Sequence, residues 1–117
     1  MTTLDRLDQT IADRRGADPA SSYVASLLAA GRPRIARKVG EEAVETVVAA
    51  LSGTPGELVS EAADLVFHLA VLLAEQGLST ADVLAELDRR EGLSGHAEKA
   101  ARGAVSIDAV AMGKPQT

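Results

Sequence analysis

Residues 38–73 read KVGEEAVETVVAALSGTPGELVSEAADLVFHLAVLL, and this stretch decides the fold. Glu42 and Glu45 form an ExxE, Glu61 and Asp64 an ExxD, and residues three apart share one face of a helix. The intervening Ser52-Gly53-Thr54-Pro55-Gly56 reads as a tight break between two helices. Counted from Thr54, the two acidic pairs sit at similar heights, roughly 13 Å back to Glu45 and roughly 10 Å forward to Glu61 at helical rise. Folded antiparallel, the helices bring all four carboxylates almost level. Such a cluster repels itself unless a hard cation neutralises it, and Mg²⁺ is the usual occupant of oxygen-rich sites of this kind.

Acidic pairs are common on helices, and most are solvated with nothing bound. The setting here is different. From Leu58 to Leu73 the apolar residues point in almost every direction when wound as a helix, the pattern of a buried element. Only Glu61, Asp64, His68 and Glu75 interrupt it, on one narrow stripe. Carboxylates buried there unpaired would carry a large desolvation cost, so either they see water or they hold a cation.

Working outward, helices are expected almost throughout. Leu4, Leu7 and Ile11 share a face of a first helix, from about Thr3 to Arg15, ended at Gly16-Ala17-Asp18-Pro19. Ser21 or Ser22 can cap a second, which Gly31 closes. Pro33 suits the first turn of a third, running to about Ser52, with Val44, Val47, Val48 and Leu51 as its apolar face. The fourth spans about Gly56 to Gln76. Ser79, with Asp82 three residues on, caps a fifth that turns Val83, Leu84 and Leu87 inward. Gly95 to Arg102 could add two further turns. The expectation is an all-α fold with a central antiparallel hairpin, a domain over residues 1–103 and a weakly patterned tail over 104–117.

Composition narrows the function. At 117 residues the chain suits one domain, and with two aromatic residues, Tyr23 and Phe67, its core must be Leu, Val and Ala. The net charge of −5 argues against a nucleic-acid partner. The absence of cysteine removes disulfides, thiolate catalysis and Cys-based metal centres. Met1 to Arg15 has no hydrophobic run of a secretory signal, and the run near Leu65 to Leu73 is too short to span a membrane, so a cytoplasmic protein is expected. A helix apolar all round exceeds what four short neighbours can cover, which predicts a homodimer.

Lys38-Val-Gly-Glu-Glu-Ala-Val-Glu45, then Glu61-Ala-Ala-Asp-Leu-Val-Phe-His68, Gly77-Leu-Ser79 and Val83-Leu-Ala-Glu-Leu87 resemble the phosphoribosyl-ATP pyrophosphohydrolases. These belong to the all-α, MazG-like nucleoside triphosphate pyrophosphohydrolases, and the likeness covers roughly residues 3–102. It implies Mg²⁺-dependent cleavage of the α–β phosphoanhydride of phosphoribosyl-ATP to phosphoribosyl-AMP and pyrophosphate, the second step of histidine biosynthesis. It also implies a dimeric bundle built from these helices. On this resemblance Glu42, Glu45, Glu61 and Asp64 match metal-binding carboxylates, and Glu41 matches an acidic position that acts as a further ligand or as a base. Lys38 either contacts substrate phosphate or makes a helical ion pair with Glu42.

Other residues carry less. His68 reads as a core hydrogen-bonding group rather than a catalyst. Arg34, Arg37, Lys99 and Arg102 read as surface charge, with phosphate contact the alternative. Stacking on a base has only Tyr23 and Phe67 available, and Phe67 is expected in the core. Rival functions are a house-cleaning nucleoside triphosphate pyrophosphohydrolase and a non-catalytic helical assembly protein with a solvated acidic stripe. A ferritin-like di-iron bundle needs Glu-x-x-His pairs, and none lies near these acids.

Overall fold

A computed structural model describes residues 1–92 of the chain. Its described residues form five helices: α1 (Thr3–Arg14), α2 (Tyr23–Ala30), α3 (Arg32–Ser52), α4 (Pro55–Glu75) and α5 (Thr80–Arg90). The expected helical turns over 95–102, the tail over 104–117, and Lys99 and Arg102 lie outside the described residues. The chain divides into two units after Val83.

In the first unit the expected hairpin is present, with the most extensive packing between α3 and α4. Its connector is shorter than the five-residue break suggests, because only Gly53 and Thr54 lie between the helices. Thr54 caps α4 reciprocally. Its hydroxyl accepts from the Glu57 N–H at 3.1 Å, and the Glu57 carboxylate accepts from the Thr54 N–H at 2.8 Å. Pro55 then takes the first helical position, where its missing N–H costs nothing. Gly53 is required by space: a Cβ there would stand 2.9 Å from the Ala49 carbonyl oxygen. α1 opens on an equivalent box between Thr2 and Asp5. The Ser22 hydroxyl caps α2 by accepting from the Ala25 N–H.

The core gathers Ile11 of α1, Val24 and Leu27 of α2, Ile35 of α3, and Ala70 and Val71 of α4, with Phe67 and Leu72 packed against it. All of it lies toward the hairpin's open end. The reason is length: α3 and α4 are 21 residues each, roughly 31 Å, whereas α1 with 12 and α2 with 8 reach roughly 18 and 12 Å. Arg32 closes the open end by donating to Glu75 at 2.7 Å. Arg15 donates to the Ala74 carbonyl, and the Asp8 carboxylate accepts from the Thr80 N–H and hydroxyl.

Three expectations about faces are corrected. Val44, Val47, Val48 and Leu51 are exposed, Leu51 at 82%, because α3 turns Ile35, Glu42 and Ala49 toward its neighbours instead. These three recur every seven residues and so share one line along the helix. On α4, Val59, Val66 and Leu69 are likewise exposed, since α1 and α2 end before they can cover them. In α5, Val83, Leu84 and Leu87 are each more than a third exposed rather than inward. In the second unit Glu86 pairs with Arg89 and Arg90, at 2.7 and 2.9 Å.

Candidate active site

The short connector fixes the register of α3 on α4. It sets Glu45 level with Glu61, and continued along the pair it brings Ile35 and Val71 into one core and Arg32 to Glu75. The carboxylates of Glu42, Glu45 and Glu61 converge, with one oxygen from each lying within 4.8 Å of the others. Glu42 is buried, Glu61 half-buried and Glu45 exposed, so the cluster opens to solvent on one side. One oxygen of Glu42 and one of Glu61 are buried with no hydrogen-bond partner. A buried carboxylate oxygen ordinarily has a donor. Two such orphans facing a third acid make a cavity whose chemistry suits a hard cation.

Asp64, the fourth expected ligand, is not part of this convergence. It lies exposed on α4, one turn beyond Glu61, and its side chain is one methylene shorter than those of the three glutamates. Glu41 is also exposed and outside the cluster. Lys38 makes the expected ion pair and one more, lying 3.5 Å from Glu42 and 3.4 Å from Glu41.

Electrostatics follow from this packing. The Glu45 carboxyl is pushed above its ordinary value by the hydrogen bond it shares with Glu42, then by the charge of Glu42, by desolvation and by the charge of Glu61. Lys38 pulls the other way and does not prevail. For the Lys38 ammonium, burial favours deprotonation but is outweighed by Tyr23, Glu41 and Glu42 together, so its pKa is raised.

Between α2 and α4 lies an arrangement that sequence reasoning only half anticipated. His68 is buried, as expected of a core hydrogen-bonding group. Its Nδ1 lies 2.7 Å from the Asp64 carbonyl oxygen, which can only accept, so Nδ1 carries the proton. In the neutral ring Nε2 is then the acceptor, and the Tyr23 hydroxyl donates to it at 2.8 Å. Tyr23 and His68 are 45 residues apart, and no local signal in the sequence joins them. On the turn side of the acids an open cleft of about 390 Å³ is lined by Glu45, Ser52, Glu57, Ser60 and Glu61 among others. Its acidic lining through Glu57 was also not anticipated, because that residue reads first as a helix cap.

Comparison with known proteins agrees with this geometry. Residues 4–91 match the family described as phosphoribosyl-ATP pyrophosphohydrolase. A phosphoribosyl-ATP pyrophosphatase of Rhizorhabdus wittichii is 68% identical over 100 residues, covering 86% of this chain and 94% of that protein. Proteins of the same name from Erythrobacter litoralis and Dinoroseobacter shibae are 67% and 55% identical, covering 88% and 87% of this chain and 99% and 100% of their own lengths. With the expected helical hairpin and three of its acids converging, the chain belongs to the phosphoribosyl-ATP pyrophosphohydrolase family.

Proposed function

We infer that this chain hydrolyses the α–β phosphoanhydride of phosphoribosyl-ATP, giving phosphoribosyl-AMP and pyrophosphate in histidine biosynthesis. Family membership supports the reaction. The observation that carries its location is the convergence of Glu42, Glu45 and Glu61 around two orphaned carboxylate oxygens. These three would hold Mg²⁺, with Asp64 one turn away as a fourth ligand. Bound there, Mg²⁺ supplies charge neutralisation on the phosphate oxygens and acidifies coordinated water.

The chain's own residues do the rest. Lys38 is a fixed cation at the edge of the cluster and receives a substrate phosphate, releasing part of its hold on Glu41. Glu41, exposed and outside the cluster, is then the free carboxylate that orients the attacking water and takes its proton. The acids exclude a bare polyphosphate by repulsion, so substrate enters with its cation or after it.

The functional unit is a homodimer in this reading. Its support is the number of exposed large apolar residues on the hairpin, Val44, Val47, Val48 and Leu51 on α3 and Val59, Val66 and Leu69 on α4. No described helix is long and apolar enough to cross a membrane. A phosphorylated nucleotide substrate from a biosynthetic route supports a cytoplasmic enzyme in this reading. The decisive experiment measures pyrophosphate release from phosphoribosyl-ATP beside a panel of nucleoside triphosphates while Mg²⁺ is titrated from zero. Preference for the panel, or turnover indifferent to Mg²⁺, overturns the assignment.

A further inference from the structure

Aromatic side chains are almost absent from this protein, yet its one Tyr, on α2, and its one Phe, on α4, stand together. The rings of Tyr23 and Phe67 are near parallel, 17° apart, with centroids separated by 6.0 Å. His68 stands edge-on to both, 5.7 Å from Tyr23 and 5.0 Å from Phe67. Tyr23 is nevertheless 52% exposed. It is thus a surface ring with its hydroxyl tied down to His68 and its ring set against Phe67, and about half of it remains open to solvent. A tyrosine fixed in this way loses little entropy when something stacks on it, the condition for an effective aromatic contact.

Its position gives the ligand. The Tyr23 hydroxyl donates to His68 Nε2 at 2.8 Å, and His68 Nδ1 lies 2.7 Å from the Asp64 carbonyl oxygen, one helical turn beyond Glu61 of the cluster. His68 and one turn of α4 therefore stand between the ring and the acidic stripe, as ribose stands between base and phosphate in a nucleotide. The opposite side of the cluster is a poorer berth. Its cleft is lined by Glu45, Glu57 and Glu61 and contains no basic residue. Arg34 lies one helical turn before Lys38 on the same face of α3 and has no hydrogen bond or ion pair among the described residues, which adds positive charge beside Lys38.

We propose that Tyr23, braced by Phe67 and His68, is the stacking platform for the purine base of the nucleotide whose phosphates reach the Glu42–Glu45–Glu61 cluster. This rests on the proposed hydrolysis for the identity of the nucleotide, but the platform itself can be tested without turnover.

With no Trp and a single Tyr in the chain, the protein's ultraviolet emission comes from Tyr23 alone. ATP added in the presence of Mg²⁺ should quench that emission saturably after correction for the nucleotide's own absorption. Inorganic pyrophosphate and ribose 5-phosphate, which carry phosphate but no base, should not. In steady-state kinetics with phosphoribosyl-ATP, Tyr23→Leu should raise KM about tenfold with kcat little changed, as expected for loss of one stacked base. Tyr23→Phe keeps the ring and should stay within about twofold of wild type on that stacking scale. Helicity by circular dichroism shows whether each variant is folded, and Tyr23→Phe carries the comparison if Tyr23→Leu is not.

Equal quenching by pyrophosphate and ATP overturns the platform, as does a wild-type KM in folded Tyr23→Leu, or a Tyr23→Phe KM as high as that of a folded Tyr23→Leu. If Tyr23→Leu does not fold, a tenfold rise in Tyr23→Phe overturns it. Absence of hydrolysis in wild type, with ATP quenching intact, overturns the assigned reaction and leaves the platform standing.

Discussion

Replacing Glu61 with Gln should make the metal-free protein more stable and the Mg²⁺-bound protein less so. Oxygens of Glu61 and Glu42 lie within 4.8 Å, and each residue has a buried oxygen without a partner. Two charges at that distance repel by about 3 kcal/mol at an effective dielectric near 20 and by about 1 kcal/mol in water. Lys38, 3.5 Å from Glu42, offsets part of this, which favours the lower figure. The Gln amide also supplies a donor that can satisfy a neighbouring carboxylate. A gain of about 1 kcal/mol corresponds to a rise of about 4–8 °C in Tm for a domain of this size. Mg²⁺ at a hundredfold excess over its Kd stabilises the wild type by about 2.7 kcal/mol, whereas the variant, with a ligand charge lost, gains much less. Thermal melts followed by circular dichroism, in chelator and in Mg²⁺, should therefore rank the two proteins in opposite orders. A variant that melts below wild type in chelator would refute the repulsion argument, because it would mean that Glu61 is already satisfied in the folded protein.

Glu42→Gln and Glu45→Gln should each reduce phosphoribosyl-ATP hydrolysis at least a hundredfold, on the order expected when a charge-stabilising group is removed, with helicity unchanged; near wild-type turnover in both would remove the cluster from the mechanism. Gly53→Ala should lower stability by about 1–3 kcal/mol, the cost of forcing a methyl against the Ala49 carbonyl at 2.9 Å, measured by urea unfolding. The metal-free protein should also depend on pH through Glu45. Its carboxyl holds a proton more tightly in the folded chain than its ordinary 4.5, so its contribution favours the fold below that value and fades as pH rises through the raised one. Saturating Mg²⁺ should abolish this trend, and a melting profile unchanged by metal across that window would count against it. Sedimentation at micromolar concentration should give twice the chain mass, and a helical monomer would exclude the dimer.

The hairpin was legible because its signals are local and agree. Gly53 breaks α3, Pro55 opens α4, and the residue counts from the turn to Glu45 and Glu61 nearly match. The direction of the apolar faces was not. Periodicity shows that Val44, Val47, Val48 and Leu51 share a stripe, but a stripe does not name what it packs against. Within this chain the acidic line carries the contact instead, because Ile35 and Ala49 flank Glu42 at seven-residue intervals on the side facing α4. Three of the four expected ligands converge, and Asp64 stands apart because its shorter side chain begins a turn away. The bond between Tyr23 and His68 joins two helices through the tertiary fold, which no spacing rule encodes.

The two-residue connector also bears on how the site forms. Glu42, Glu45 and Glu61 are separated by fewer than twenty positions along the chain, so their encounter belongs to the most local tertiary contact of the fold. Local contacts close early, since little loop entropy is lost before they are made. The core, by contrast, must bring Ile11 from the first helix to Val71 near the end of the fourth. The carboxylates therefore meet, and oppose one another, while much of the apolar burial that stabilises the fold has yet to occur. In this topology a cation held by the three acids would act on the order of assembly as well as on the finished protein: it would remove repulsion from an early step on which later packing is built.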